Sequence, residues 1–222
     1  MSEPIVVHGI PGSPYVRKPL IVCEEKGVPY RLVPMAFGDG AHKQPAYLAM
    51  NPFGRLPTIE HGDFVLYEAQ AIGRYIDRVF DGPSLTPGDP RQAARMDQVM
   101  NIVDWYVMPS ISSKIGFNRL VKPVFGMPVD EAAVAEAVPL ARTCVAALEV
   151  LLADQPYFAG DRVSLGDLFA VAHLDLLPQT PEGADILAGS PLLGWLERMA
   201  ERPSVKKTTM ARMMNLPEPA AA

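Results

Sequence analysis

The ten residues 81–90, DGPSLTPGDP, divide this chain more firmly than any other feature. Three prolines and two glycines in ten positions cannot sustain a helical ladder or a paired strand. Proline lacks the amide donor, and glycine loses the most backbone entropy on ordering. This is the composition of a linker. Before it, apolar spacing switches between a period of two and a period near 3.6; after it, only the helical period continues. The chain is therefore expected to form a small α/β domain, residues 1–81, and an all-helical domain, residues 91–222, joined by 82–90.

Within the first part, Ile5 to His8 is a short β-branched run that predicts a buried strand. Gly9-Ile10-Pro11-Gly12 is a turn, and Ser13-Pro14 is a helix start with serine at the cap and proline at the first position. Val16, Leu20 and Cys23 follow at helical spacing until Gly27 stops the helix, with a kink predicted at Pro19. Tyr30 to Val33 alternates as a second strand, giving a βαβ unit with a parallel pair. Ala41 to Met50 is weakly helical, and Asn51-Pro52-Phe53-Gly54 is a loop. Pro57 to Glu60 and Phe64 to Tyr67 form a hairpin around His61-Gly62-Asp63, before a helix with Ile72, Tyr75, Ile76 and Val79 on one face. Beyond the linker, helices are predicted over 91–118 (bent at Pro109), 130–153 (capped by Asp130, kinked at Pro139) and 164–177. Another starts at Ser190-Pro191, and a last one spans 204–214.

Composition removes several classes of function. A net charge of −5 with pI near 5.4 gives no electrostatic footprint for nucleic acid. No apolar run approaches the length of a membrane span, and the N-terminus lacks the layout of a signal peptide, so a cytoplasmic protein is expected. Two cysteines and four histidines without ligand spacing predict neither a disulfide nor a metal site. The 23 prolines, about twice the usual share, fall mainly at element boundaries.

Five places carry residues suited to chemistry. Ser13 ends a loop where a helix begins, so it either caps that helix or donates a hydrogen bond to a bound anion. Arg55-Leu56-Pro57-Thr58 places proline at the mouth of a strand, as an ordinary trans proline or as a cis one that turns the Leu56 backbone toward a cleft. Glu68 begins the third helix, where it caps or meets a ligand ammonium. His42 and Lys43 form a solvated pair or a clamp for a small carboxylate. Ser164-x-x-Asp167 is a capping-box variant and reads as structural. Cys23 lies on an apolar helix face as core, and the eleven methionines read as gap-fillers of core and interface.

In this order and spacing, the segments SPYVRKPLIVCEEKGVPY, HKQPAYLAMNPFGRLPTIEHGD, LYEAQAIGRYI and SLGDLFAVAHL resemble the glutathione transferases over the whole chain. HK, NPFG and the early serine make it most similar to the serine-type theta and phi groups. The resemblance implies a thioredoxin-like N-terminal domain and an all-α C-terminal domain. It implies a metal-free enzyme that conjugates glutathione, its co-substrate, to a small hydrophobic electrophile in detoxification. Ser13 would hold the glutathione thiolate, with Tyr15 a nearby hydroxyl able to share or replace that role. Leu56, before Pro57 in cis, would pair its backbone with the cysteinyl part. Glu68 would meet the γ-glutamyl ammonium, and His42 and Lys43 the glycyl carboxylate.

Two departures stand out. Ala69 replaces a serine usual in the family and leaves only a backbone N–H for the γ-glutamyl carboxylate. Arg55 replaces a common glutamine, and its guanidinium is expected to compensate. The electrophile is expected where the two domains meet, with Tyr106, Ile111 and Phe117 as walls, and a homodimer with Phe53 inserted into its partner is implied. The alternatives are a non-catalytic binding protein for glutathione or hydrophobic ligands, or a glutathione-dependent isomerase, peroxidase or dehalogenase. A disulfide reductase would need cysteine where Ser13 stands.

Overall fold

β1 (Ile5–Gly9) and β2 (Tyr30–Pro34) run parallel because α1 (Pro14–Lys26) carries the chain back between them. The computed structural model describes residues 3–216. A three-residue 3₁₀ turn (Ala41–Lys43) and α2 (Pro45–Met50) replace the single weak helix expected over 41–50. Gln44 between them is extended, as a residue before proline prefers. β3 (Thr58–His61) and β4 (Phe64–Tyr67) form the expected hairpin, and α3 (Ala69–Val79) follows. The sheet order is β2-β1-β3-β4, with β3 antiparallel to β1.

This first unit closes around Ile5, Val7 and Ile59 from the strands, Val16, Leu20 and Cys23 from α1, and Ile72 and Ile76 from α3, all fully buried. Val79, expected on the same face of α3, is 52 % exposed, because it lies in the last turn beyond the reach of the sheet. α1 runs unbroken through Pro19 and stops at Gly27, whose left-handed φ of 66° lets its N–H turn back to Glu24. The Cys23 thiol is pushed up to about 12 by burial, so at neutral pH it stays protonated and behaves as core.

The unit also takes back the end of the chain. α9 (Pro203–Lys207) and α10 (Met210–Met213) group with residues 1–84, not with the helical unit as expected. The reason is local. Ser204 donates to Glu25, and Lys207 Nζ lies 2.7 Å from Glu24, both carboxylates being on α1. The single helix expected over 204–214 is broken because Thr209 starts a new one, accepting the Arg212 N–H at 3.2 Å.

The second unit spans residues 85–202 and is all helical among the described residues. α4 (Pro90–Ile102) begins at Asp89, whose carboxylate accepts the Arg91 and Gln92 N–H groups. The chain then continues as a π-helix, Val103–Val121, where one bent α-helix over 91–118 was expected. Val99, Val103, Val107, Ile111 and Ile115 are all fully buried at a strict spacing of four.

A 3₁₀ turn (Lys122–Phe125), α5 (Glu131–Leu152), α6 (Leu165–Leu174), a second 3₁₀ turn (Leu177–Gln179), α7 (Pro181–Ile186) and α8 (Leu192–Ala200) complete the unit. The six-residue α7 is too short to show a period in sequence. At the start of α6, the buried Asp167 carboxylate accepts from Ser164 N–H, Ser164 Oγ, Phe158 N–H and Trp195 Nε1 at 2.8 to 3.1 Å. Among the described residues no helix is long and apolar enough to cross a membrane.

Candidate functional site

Strand register gathers most of the singled-out residues. His8 of β1 pairs with Thr58 of β3, and Thr58 pairs with Tyr67 of β4. The loop after β1, the residues before β3 and those after β4 therefore emerge at one end of the sheet. Those residues are Gly9 to Ser13, Arg55 to Pro57, and Glu68 with Ala69.

Ser13 occupies the N-cap of α1 in an extended conformation, φ −60° and ψ 128°, yet its side chain makes no capping hydrogen bond. Its own N–H is used, donated to Ile10 O at 3.1 Å, and its carbonyl accepts from Arg17 N–H at 2.9 Å. The backbone is fixed at both ends while the half-buried hydroxyl has no task in the fold. A hydroxyl at the positive end of a helix, with the first-turn N–H groups beside it, suits an anion. Tyr15, two residues on, has the Lys18 Nζ 4.2 Å from its ring centroid, a cation–π contact that holds the ring.

The Leu56–Pro57 peptide is cis. The loop before it is braced by Asn51 and Thr58 and by Tyr47, to which sequence reasoning gave no part. Tyr47 donates its hydroxyl to Arg55 O at 2.6 Å and meets Thr58 Oγ1 at 2.7 Å, while Asn51 Nδ2 donates to Arg55 O at 3.0 Å. Burial raises the Tyr47 pKa, so its hydroxyl keeps the proton it donates. Asn51 Oδ1 also accepts Phe53 N–H at 3.1 Å, an Asx turn that asparagine before Pro-Phe-Gly does signal. Tyr47, an aromatic in a weak helix, carried no such signal.

His42 and Lys43 end the 3₁₀ turn and join the same loop from the other side. Lys43 Nζ donates to Phe53 O at 3.4 Å. A Cβ on Gly54, whose φ is +53°, would stand 2.8 Å from His42 O, so only glycine lets these two segments close up. Arg55 is exposed, and among the described residues its guanidinium takes no partner. Glu68 is the N-cap of α3 with φ +71°, a left-handed backbone for a residue other than glycine, and its carboxylate makes no capping bond. Such a conformation costs roughly 1–3 kcal/mol and persists where the surroundings impose it. Ala69 behind it is buried at the first turn of the helix. The first unit thus presents a serine hydroxyl, a carboxylate, a guanidinium, a lysine and a histidine with no capping bond among them, beside rigid backbone.

The other three residues singled out by sequence lie in the helical unit. Tyr106 is 53 % exposed, and Phe117 is half-buried. Ile111 belongs to the fully buried four-spaced stripe, so it is core and has no surface to give a ligand.

The family model of the glutathione S-transferase N-terminal domain matches residues 7–84, and that of the C-terminal domain matches residues 96–203. The chain is 34 % identical over 223 residues to glutathione S-transferase 3 of Zea mays, covering 97 % of each protein. Among solved structures, glutathione S-transferase III in apo form is 35 % identical with a TM-score of 0.84, covering 97 % of this chain and 99 % of that one. Glutathione S-transferase I bound with lactoylglutathione is 31 % identical with a TM-score of 0.82, covering 92 % and 98 %.

Proposed function

The chain belongs to the glutathione S-transferase family and is a glutathione transferase, and from that premise we propose that Ser13 holds the thiolate of glutathione for attack on a small hydrophobic electrophile. The observation that carries this is the Ser13 hydroxyl, placed at the N-terminus of α1 with no capping bond to make.

The thiolate is the nucleophile, and a thiol in water has a pKa near 8.5. A hydroxyl that donates to the sulfur, together with the positive end of a helix, favours the charged form and lowers that value. The thiol proton passes to solvent. On an aryl halide the sulfur lone pair forms the new C–S bond, and the halide departs with the electrons of the bond that breaks. Tyr15 stands close enough in sequence to share the task.

The rest of the site positions the tripeptide. The Leu56 backbone beside cis-Pro57 pairs with the cysteinyl unit, Glu68 takes the γ-glutamyl ammonium, and His42 with Lys43 takes the glycyl carboxylate. Ala69 offers its N–H to the γ-glutamyl carboxylate, and the unpartnered Arg55 guanidinium supplies the charge-assisted contact that a serine at 69 would otherwise make. Tyr106 and Phe117 are candidate contacts for the electrophile. We place this detoxifying enzyme in the cytoplasm, where its two buried cysteines stay reduced. Phe53, 64 % exposed beside the His42 turn, is the residue a second copy would cover in a homodimer. A monomer in sedimentation at micromolar concentration would overturn that assembly.

Ser13→Ala is expected to reduce conjugation of a generic aryl halide by about 10²-fold or more, with the glutathione Kd nearly unchanged. Retained turnover in that variant would remove Ser13 from the role. A wild-type protein that binds glutathione yet turns over no member of an electrophile panel would make it a binding protein.

A further inference from the structure

A single backbone carbonyl joins two segments of the candidate site. Arg55 O accepts the Tyr47 hydroxyl at 2.6 Å and Asn51 Nδ2 at 3.0 Å. Thr58 Oγ1 lies 2.7 Å from the Tyr47 oxygen and 3.3 Å from Asn51 Nδ2. The direction of each bond follows. A carbonyl only accepts, so the Tyr47 proton points at Arg55 O, and the Thr58 hydroxyl donates to Tyr47 while accepting from Asn51. Tyr47, Asn51 and Thr58 are all buried. In such surroundings a closed network is strong, and a member without its partner is costly. The Arg55–Leu56 peptide is planar, with C=O and N–H on opposite edges. Its carbonyl is held against Tyr47 and Asn51, so the Leu56 N–H faces away from them.

Both anchors of that carbonyl belong to α2. Tyr47 and Asn51 stand four residues apart on one face, with Asn51 N–H on Tyr47 O at 2.9 Å. α2 grows directly out of the 3₁₀ turn that ends in His42 and Lys43, and Tyr47 N–H bonds Gln44 O at 3.0 Å. Lys43 Nζ also reaches Phe53 O, but at 3.4 Å and on the surface. The Tyr47 bond is shorter and buried, and it is the one that reaches the peptide of Leu56.

We propose that Tyr47 is a positioning residue: its hydroxyl keeps α2, and with it the His42–Lys43 pair, in register with the Leu56 backbone, so that neighbouring units of one glutathione molecule are engaged together. This rests on the reading that His42 with Lys43 takes the glycyl carboxylate and Leu56 the cysteinyl unit. Tyr47 acts through those two segments.

The test is calorimetric binding of glutathione and of γ-glutamylcysteine, which lacks the glycyl unit, to the wild-type protein and to Tyr47→Phe. The ratio of the two dissociation constants reads the glycyl contact alone, and a loss of folded protein leaves that ratio unchanged. The wild type is expected to prefer glutathione. Tyr47→Phe keeps the ring and removes one hydrogen bond, and it is expected to cut that preference about fivefold. In conjugation of an aryl halide, the same variant should raise KM for glutathione with kcat at saturating glutathione nearly unchanged. A preference retained in full by Tyr47→Phe overturns the inference and leaves the reading of the glycyl contact standing. If both affinities fall equally, together with the melting temperature, Tyr47 only supports the fold, and the inference is likewise overturned. A wild type that binds the two compounds equally, or neither, defeats the reading of the glycyl contact and the inference with it.

Discussion

Two serines stand at helix starts in this protein, and the fold treats them in opposite ways. Ser164 is buried and donates both its N–H and its hydroxyl to Asp167, whose carboxylate also takes the Phe158 and Trp195 donors. Ser13 has the same place at the start of α1, and its hydroxyl makes no capping bond. Two arginines repeat the contrast. Arg119 is bonded to Glu131 and Glu182 and holds both carboxyls below their usual range, tying the end of the π-helix to α5 and α7. Arg55 is exposed with no partner for its guanidinium among the described residues. Where polar groups are bonded to one another they specify the helical unit. Where they are left unbonded at one end of the sheet, they are available to a charged ligand.

The largest effect expected of this contrast is on stability. Asp167→Ala would leave four donors buried without an acceptor, and each such group costs about 1–3 kcal/mol. A loss of roughly 3 kcal/mol or more is expected in denaturant unfolding; a variant as stable as wild type would show that the cluster contributes little. Burial pushes the Asp167 pKa up and the four donors oppose it, so the donors are what make an acid tolerable there.

Next is Arg55→Ala, which should leave the melting temperature in place but weaken glutathione binding about tenfold, the worth of one charge-assisted hydrogen bond. An unaltered Kd would sever Arg55 from the γ-glutamyl carboxylate. The smallest effect is the most telling. Because Ser13 makes no cap bond, Ser13→Ala should change the unfolding free energy by no more than about 0.5 kcal/mol, although a bonded cap lost to alanine costs about 1 kcal/mol. A loss of that size would mean that Ser13 is a cap after all.

Local patterns were enough for much of the architecture. Serine before proline marks the start of α1, Gly27 its end, and His61-Gly62-Asp63 the hairpin, because caps and turns depend on neighbours within a few residues. Tyr47 escaped notice because its role is to hold Arg55 O and Thr58, contacts that no period reports. Ile111 looked like a pocket wall because an apolar residue on a helix reads alike whether it faces a ligand or a core. The four-residue stripe of the π-helix decided it.

The residue types of the site, and with them the likeness to the family, were legible in the sequence alone, since backbone preference and side-chain chemistry are local properties. Tertiary structure decided which of those side chains are left unbonded. It also decided that residues 203–216 return to α1, setting Met210 and Met214 on Gly12. That contact joins residues about two hundred positions apart, and such pairing is fixed by packing and by the Glu24 and Glu25 anchors, for which a single sequence has no signal.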